Sequence, residues 1–311
     1  MRDILGNPGG WRAAAGLILC TLAAFAAPNV NPNATPVPGT VNYVEGQASL
    51  DGKSLEGQFA GNVVQPGGTL TTMNGKAEIL LTPGVFLRLG DNSQARMLSN
   101  GLADLEVSLD RGQATVEADY WPKEARLKIE QNTAVTDILK RGFYVLHSQS
   151  PFVQVVKGKA SVALNEQTAT AGDGREIAET PSGKLKAQDF NKNAVDETAL
   201  ARWSRLRSQY EAQANLDAAR TVVVNNAWYG PGWYWDPFWG YWSFLPGNGI
   251  LYSPFGFGFY SPAYFGFYRG PYYGHGFYHG GFPRGAVVRG GYAPRGEFRG
   301  APGGFRGGGR R

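Results

Sequence analysis

Gly46-Gln47-Ala48-Ser49-Leu50, Gly75-Lys76-Ala77-Glu78-Ile79, Gly112-Gln113-Ala114-Thr115-Val116 and Gly158-Lys159-Ala160-Ser161-Val162 are four copies of one pattern: glycine, long polar, alanine, polar, aliphatic. Successive side chains of an extended chain point to opposite faces, so the alanine and the aliphatic share one face and the polar pair takes the other. The glycine suits a turn or bulge before each strand. The pattern therefore predicts four strands that bury Ala48, Ala77, Ala114 and Ala160 on a common face. The copies are unevenly spaced, which argues against a strictly periodic solenoid. An irregular sandwich of stacked, twisted sheets and a short irregular solenoid both fit.

The text around these copies is written in strands. Val85-Phe86-Leu87-Arg88-Leu89, Leu105–Leu109, Leu127–Ile129 and Val153–Val156 are strand length and too short for helices. Thr82-Pro83-Gly84, Gly90-Asp91-Asn92-Ser93, Ser99-Asn100-Gly101, Asp110-Arg111-Gly112 and Lys157-Gly158 punctuate them as turns. Asn74-Gly75, flanked by Thr69–Met73 and Lys76–Leu81, predicts a tight type I′ hairpin. Turn signals at this spacing, with no helical period between them, predict a mainly β domain over residues 41–180.

Several of these runs resemble the FecR domain: Val44-Glu45-Gly46, Gly67-Gly68-Thr69-Leu70-Thr71-Thr72, Ala77-Glu78-Ile79-Leu80-Leu81 and Phe86-Leu87-Arg88-Leu89-Gly90-Asp91-Asn92-Ser93. So do Leu109-Asp110-Arg111-Gly112-Gln113-Ala114, Arg141-Gly142-Phe143-Tyr144-Val145 and Val155-Val156-Lys157-Gly158-Lys159. The resemblance implies an exported β-rich domain, as in membrane-spanning regulators whose cytoplasmic segment acts on a sigma factor. Only about a dozen residues precede the N-terminal apolar run here, so a cytoplasmic sigma-binding segment is not expected.

At the N-terminus, Arg2 and Arg12 precede an apolar run from Ala13 to Ala27, closed by Ala24-Phe25-Ala26 and Pro28. At about 15 residues it is shorter than the ~20 of a spanning helix, so residues 1–27 read as a signal peptide, with an uncleaved anchor as the alternative. Residues 28–40 carry four Pro and no apolar period and read as a linker. Past the β domain the period changes. Leu200, Trp203, Leu206, Tyr210 and Ala214 fall within an arc of about 120° at 100° per residue, predicting one amphipathic helix over 193–220, capped by Asn193 or Asp196 and packed on its Trp203 face.

The C-terminal part is compositionally different. Of 40 aromatic residues, 27 follow Asn225, as do 23 of 44 Gly. Residues 226–311 carry eight Arg, no Lys and only Asp236 and Glu297 as acids, so the basic balance of the chain (+5 overall) belongs to this segment. Residues 226–260 read as an aromatic-rich segment with a hairpin pairing Tyr241–Leu245 with Ile250–Ser253 across Pro246-Gly247-Asn248-Gly249. Residues 261–311 lack Leu, Ile and Met and read as a largely disordered Gly/Arg/aromatic tail, since little apolar surface offsets roughly 1–2 kcal/mol of backbone entropy per residue.

Chemistry is sparse. Cys20 is the single cysteine and sits in the apolar run, so no internal disulfide or thiolate metal site can form. Of three His, only His147 lies outside the tail; His275 and His279 are four apart but surrounded by Gly that denies a helix. Asp91, Asp104, Asp110, Glu117 and Asp119 read as turn residues or solvated strand faces, leaving no carboxylate pair for a hydrolase. Neither enzyme activity nor a cofactor or metal is expected. The sequence predicts an exported binding or scaffolding protein of the cell envelope, in the periplasm or at the surface. Its candidate interaction residues are Trp203, Trp233, Trp235, Trp239, Arg289, Arg295, Arg299 and Arg306. Arg and aromatic rings suit weak multivalent contact with an envelope protein, a glycan surface or other copies of the tail, with membrane contact through the N-terminal segment. A relay of an outer-membrane receptor signal is the alternative. An RGG-like single-strand binder is the lesser one, because an exported chain meets little nucleic acid.

Overall fold

The computed structural model describes residues 35–55, 61–122, 124–225 and 227–266. The expected signal peptide, most of the linker, and the Arg-rich tail beyond Gly266 lie outside them.

The fold is mainly β. Fifteen strands form one sheet: β1 (Thr40–Leu50), β2 (Lys53–Ser54), β3 (Thr69–Leu80), β4 (Val85–Leu89), β5 (Gln94–Gly101), β6 (Asp104–Arg111), β7 (Gln113–Ala118), β8 (Leu127–Gln131), β9 (Ala134–Ile138), β10 (Gly142–His147), β11 (Val153–Lys157), β12 (Lys159–Leu164), β13 (Gln167–Gly172), β14 (Arg175–Glu179) and β15 (Leu185–Asp189). Their order is β13-β12-β9-β8-β6-β5-β3-β4-β7-β10-β11-β14-β15, with β1 beside β3 and β2 beside β1. Neighbours run antiparallel except β6 and β8, where Leu105–Ser108 run parallel to Leu127–Glu130. The sheet coils until its ends nearly close. Gln167 of β13 donates to the Gly183 carbonyl at 2.9 Å and accepts from the Leu185 amide of β15 at 3.0 Å.

Inside the coil lies the main core. Ala48, Ala77, Ala114 and Ala160 are all buried in it, with Leu70, Leu87, Val116, Ile129, Val155 and Val162. The shared face of the repeated pattern is therefore the inner face. Gly112 and Gly158 precede strands β7 and β12 as expected, but Gly46 and Gly75 sit within strands and face each other across the β1–β3 pair.

That pairing overturns the hairpin expected at Asn74-Gly75. Strand β3 runs straight through it because β1 spans both halves, with a register shift between Gly46 and Ala48. On its other edge β3 changes partner, pairing with β5 over Thr69–Thr71 and with β4 over Ala77–Leu80. Asn-Gly here marks a fork in the sheet. The close backbone approach requires glycine: a Cβ on Gly75 would lie 2.5 Å from the Gln47 amide nitrogen.

A second layer covers the outer face of β3, β4, β7 and β10. It begins with α1 (Lys192–Asp196), capped by Asn191, and α2 (Ala199–Val224), capped by the Thr198 hydroxyl. The caps are Asn191, two residues before the expected Asn193, and Thr198, two residues after the expected Asp196, because these hold the extended backbone from which a side-chain oxygen reaches the first free amides. Two ribbons follow, β16 (Gly232–Asp236) with β17 (Tyr241–Leu245), and β18 (Ile250–Tyr252) with β19 (Gly258–Tyr260). The short helix α3 (Pro262–Gly266) closes the described chain.

The expected pairing of Tyr241–Leu245 with Ile250–Ser253 does not form. Asp236 Oδ1 accepts from the amides of Phe238 and Trp239 at 2.8 and 3.0 Å and closes a turn ahead of β17. Ser253 does the same ahead of β19, its amide donating to the Phe257 carbonyl at 2.8 Å. Order also runs past the expected start of the tail. Ser261 is buried, and Phe265 packs on Ala218, Ala219, Val222 and Leu245.

Candidate functional site

Strands β4 and β7 are buried on both faces. In β4, Val85, Leu87 and Leu89 face the inner core while Phe86 and Arg88 face the second layer; in β7, Ala114, Val116 and Ala118 face in while Thr115 and Glu117 face out. Glu78 of β3 and Asp119, just past β7, share that outward face.

The helix answers in kind. Its packed residues are Leu200, Trp203, Ser204, Arg207, Ser208, Glu211, Ala214, Asn215 and Ala218, whereas Leu206 and Tyr210 are exposed. The buried face is thus rotated about 70° from the expected apolar stripe, at 100° per residue. The cause is chemical: a polar sheet face selects a polar helix face, because buried polar groups need partners.

Arg88 lies between two carboxylates, donating from Nε to Glu78 at 2.6 Å and from Nη1 to Glu117. Arg207 donates from Nη2 to Glu78 and to Glu211, each at 2.8 Å. Its guanidinium carbon also stands 4.1 Å from the Tyr43 ring centre and 4.5 Å from that of Tyr241. Ser208 donates to Glu117 at 2.6 Å, and the Thr115 and Ser204 hydroxyls meet at 2.8 Å. Asn42 of β1 donates to Glu78 and to Glu211, at 2.9 and 3.0 Å, and exchanges two hydrogen bonds with the Trp242 backbone of β17. Asn215 of α2 holds the Phe244 carbonyl and both backbone groups of Tyr260, so one side chain ties both ribbons to the helix.

The charges do not balance as drawn. Glu78, Glu117, Asp119 and Glu211 surround Arg88 and Arg207, all buried. Burial alone would raise the Glu78 carboxyl, but Arg207 and Arg88 overcome it and hold it far below the usual range. Burial, then the Glu78 charge, pushes Glu211 well above that range. Burial, then Glu117, does the same to Asp119. Neither Asp119 oxygen, nor Glu211 Oε2, has a hydrogen-bond partner among the described residues. Glu117 and Asp119 are therefore not solvated strand faces but buried members of this cluster; the pleat carries Glu117 under the helix, where Ser208 meets it, and sets Asp119 beside it. Asp91 and Asp104 are exposed as expected.

The candidate tryptophans divide between inside and outside. Trp203 is buried, donating to Glu45 at 2.8 Å, and Trp233 is buried edge-on against Phe86. Both hold the second layer down. Trp235 and Trp239 are half-buried beside an open cleft of about 340 Å³ lined by Asp217, Ala218, Thr221 and Val222 of α2 and by Tyr234, Trp235, Asp236, Pro237 and Phe238. At its rim Trp239 packs between Tyr210 (ring centres 5.7 Å) and Phe238 (5.5 Å), and Trp239 Nε1 donates to Asp217 at 3.3 Å. Phe238 is 84% exposed. Arg289, Arg295, Arg299 and Arg306 lie outside the described residues.

Sequence reasoning missed Asn42, Glu78, Arg88, Arg207, Glu211 and Asn215. A signal was present in Val85-Phe86-Leu87-Arg88-Leu89: apolar residues at both parities mark a strand buried on both faces, so Arg88 had to be paired.

Residues 69–161 match the family model described as FecR protein, and the chain carries a FecR domain there. Two crystal structures of a candidate anti-sigma factor from Parabacteroides distasonis are similar, each 14% identical, with TM-scores of 0.36 and 0.35. The alignments cover 41% and 40% of this chain and 62% and 60% of theirs, so the match spans less than two thirds of those proteins. No curated protein matches the chain. Among the described residues no helix is long and apolar enough to cross a membrane.

Proposed function

We propose that this chain is an exported, non-enzymatic binding or scaffolding protein of the cell envelope, in which a FecR domain serves as a rigid base for an aromatic recognition surface. The observation that carries the reading is the rim formed by Tyr210, Trp239 and Phe238 above the α2–β16 cleft. Large rings held in the open on a fixed frame offer contact area at little entropic cost. The rims of such sites bind other proteins or the apolar faces of sugar rings.

Glu78, Glu117 and Glu211, by contrast, are engaged with Arg88 and Arg207 beneath α2 and β17, which favours a structural use over a reactive one. The FecR domain also favours a second reading, a relay that receives a signal from an outer-membrane receptor. In that case the same rim is the receptor contact. The N-terminal segment supplies export in both.

The test is co-sedimentation of purified full-length protein with isolated cell envelopes, comparing wild type with F238S/W239S. The paired substitution removes the rim and leaves the buried cluster whole. Retention of wild type and loss of the variant supports the proposal. Equal retention of both moves the contact to another surface and removes the rim from the argument. Fractionation into glycan sacculi and outer-membrane protein then separates scaffold from relay.

A further inference from the structure

We propose that α2 and its two ribbons form a proton-latched cover: the buried cluster is closed with one proton on Glu211 and one on Asp119, and rising pH loosens the cover from the FecR sheet. The inference is independent of the envelope reading, since it concerns how the two layers are held.

The geometry supplies the argument. Arg88 and Arg207 are the two cations in the sealed layer, and their donated hydrogen bonds go to Glu78, Glu117 and Glu211. Glu211 is faced by Glu78 from β3, Arg88 from β4, Arg207 from its own helix, Asn42 from β1 and the Tyr241 hydroxyl from β17. Asp119 is faced by Glu117 from its own strand end, Arg88 from β4 and Arg141 from the segment entering β10. Glu78 and Glu117 take the arginines between them. Two further anions here would be buried beside like charges, with three oxygens lacking any hydrogen-bond partner among the described residues. A proton on each restores two against two. This agrees with the upward displacement of both carboxyls by burial and by their acidic neighbours.

The direction with pH follows from linkage. With the cover lifted, both carboxyls return to the ordinary range near ~4 and lose their protons above it. With the cover closed they keep them. Opening therefore becomes easier as pH rises from about 5 toward the closed-state titration, by about tenfold per pH unit for each proton held. Glu78 is displaced downward and acts oppositely, contributing stability that fades only in acid.

The experiment is hydrogen exchange on the full chain between pH 5.5 and 8.5, corrected for the intrinsic rise of exchange with pH. Amides of α2 and β17 report the cover, and those of β8 and β9 report the sheet. The expected result is a cover-opening constant that rises with pH in wild type, by up to about a hundredfold per unit where the closed state holds both protons, and flattens once it releases them. It should rise about tenfold per unit in E211Q or D119N and stay level in the double variant, which folds because each amide stands in for a neutral acid. E78Q, which removes the charge that keeps the proton on Glu211, should let Glu211 ionise beside Arg207 and lower the pH slope toward that of E211Q. A level wild-type profile overturns the latch. So does a double variant that keeps the slope or fails to fold, or an E78Q protein with the full wild-type slope.

Discussion

Replacing Arg207 with methionine keeps much of the side-chain volume and removes only the charge and its fork. Arg207 holds Glu78 and Glu211 at 2.8 Å and stands over the rings of Tyr43 and Tyr241. Breaking a buried pair by deleting one partner costs about 3–5 kcal/mol, because the other charge is stranded. The two ring contacts, each about 2 kcal/mol when desolvated, do not add independently to the ion pair because they share the same guanidinium. The expected loss for R207M is therefore about 3–5 kcal/mol, or roughly 6–20 °C in Tm for a body of this size. Thermal and urea unfolding followed by tryptophan emission reads it directly, since Trp203, Trp233 and Trp242 are buried in the second layer. R207K, which keeps the charge but loses the planar fork, should fall between the two. A loss below about 1 kcal/mol for R207M, the scale of an exposed pair, would show that the cluster is not sealed and that α2 is held by its apolar contacts alone.

Three further outcomes follow from the packing. Ala114→Lys places an unpaired charge in the inner core and should lower stability by about 3–5 kcal/mol, seen as a reduced urea midpoint. Gly75→Ala sets a methyl 2.5 Å from the Gln47 amide and should cost about 1–3 kcal/mol by forcing β1 and β3 apart, measured the same way. Truncation after Gly266 should leave the thermal midpoint within about 2 °C, whereas truncation after Tyr260 removes Phe265 from its cluster with Ala218 and Leu245 and should lower it measurably.

The inner architecture was legible because it obeys a single rule. Alternation with small residues at Ala48, Ala77, Ala114 and Ala160 placed one face of four strands, and all four are buried. What failed was local signal under tertiary override. Asn74-Gly75 has the chemistry of a tight turn, but a strand of β1 long enough to pair with both flanks kept β3 extended. Tyr241–Leu245 chose the earlier partner because Asp236 caps a turn that sequence spacing alone does not rank above Pro246-Gly247-Asn248-Gly249. The helix existed where its period placed it, yet its packed face could not be read from hydropathy. Leu206 and Tyr210 look like core, and Ser204, Arg207 and Glu211 do not, until the sheet beneath them is known to be charged. Asn42 and Asn215 were invisible for the same reason: their bonds reach Trp242 and Tyr260, far along the chain.

The separation of those partners bears on how the protein is made. Asn42 meets Trp242 across 200 positions, Arg207 meets Glu78 across 129, and Ser208 meets Glu117 across 91. While the chain emerges from its N-terminus, the sheet can complete its coil long before the residues that cover it exist. Contacts so distant in sequence form late. An apolar outer face would spend that interval inviting association with other nascent chains. Glu78, Arg88, Thr115 and Glu117 interrupt an outer face that also carries Leu80, Phe86, Phe143 and Val145, so water can solvate part of it until α2 and the ribbons arrive.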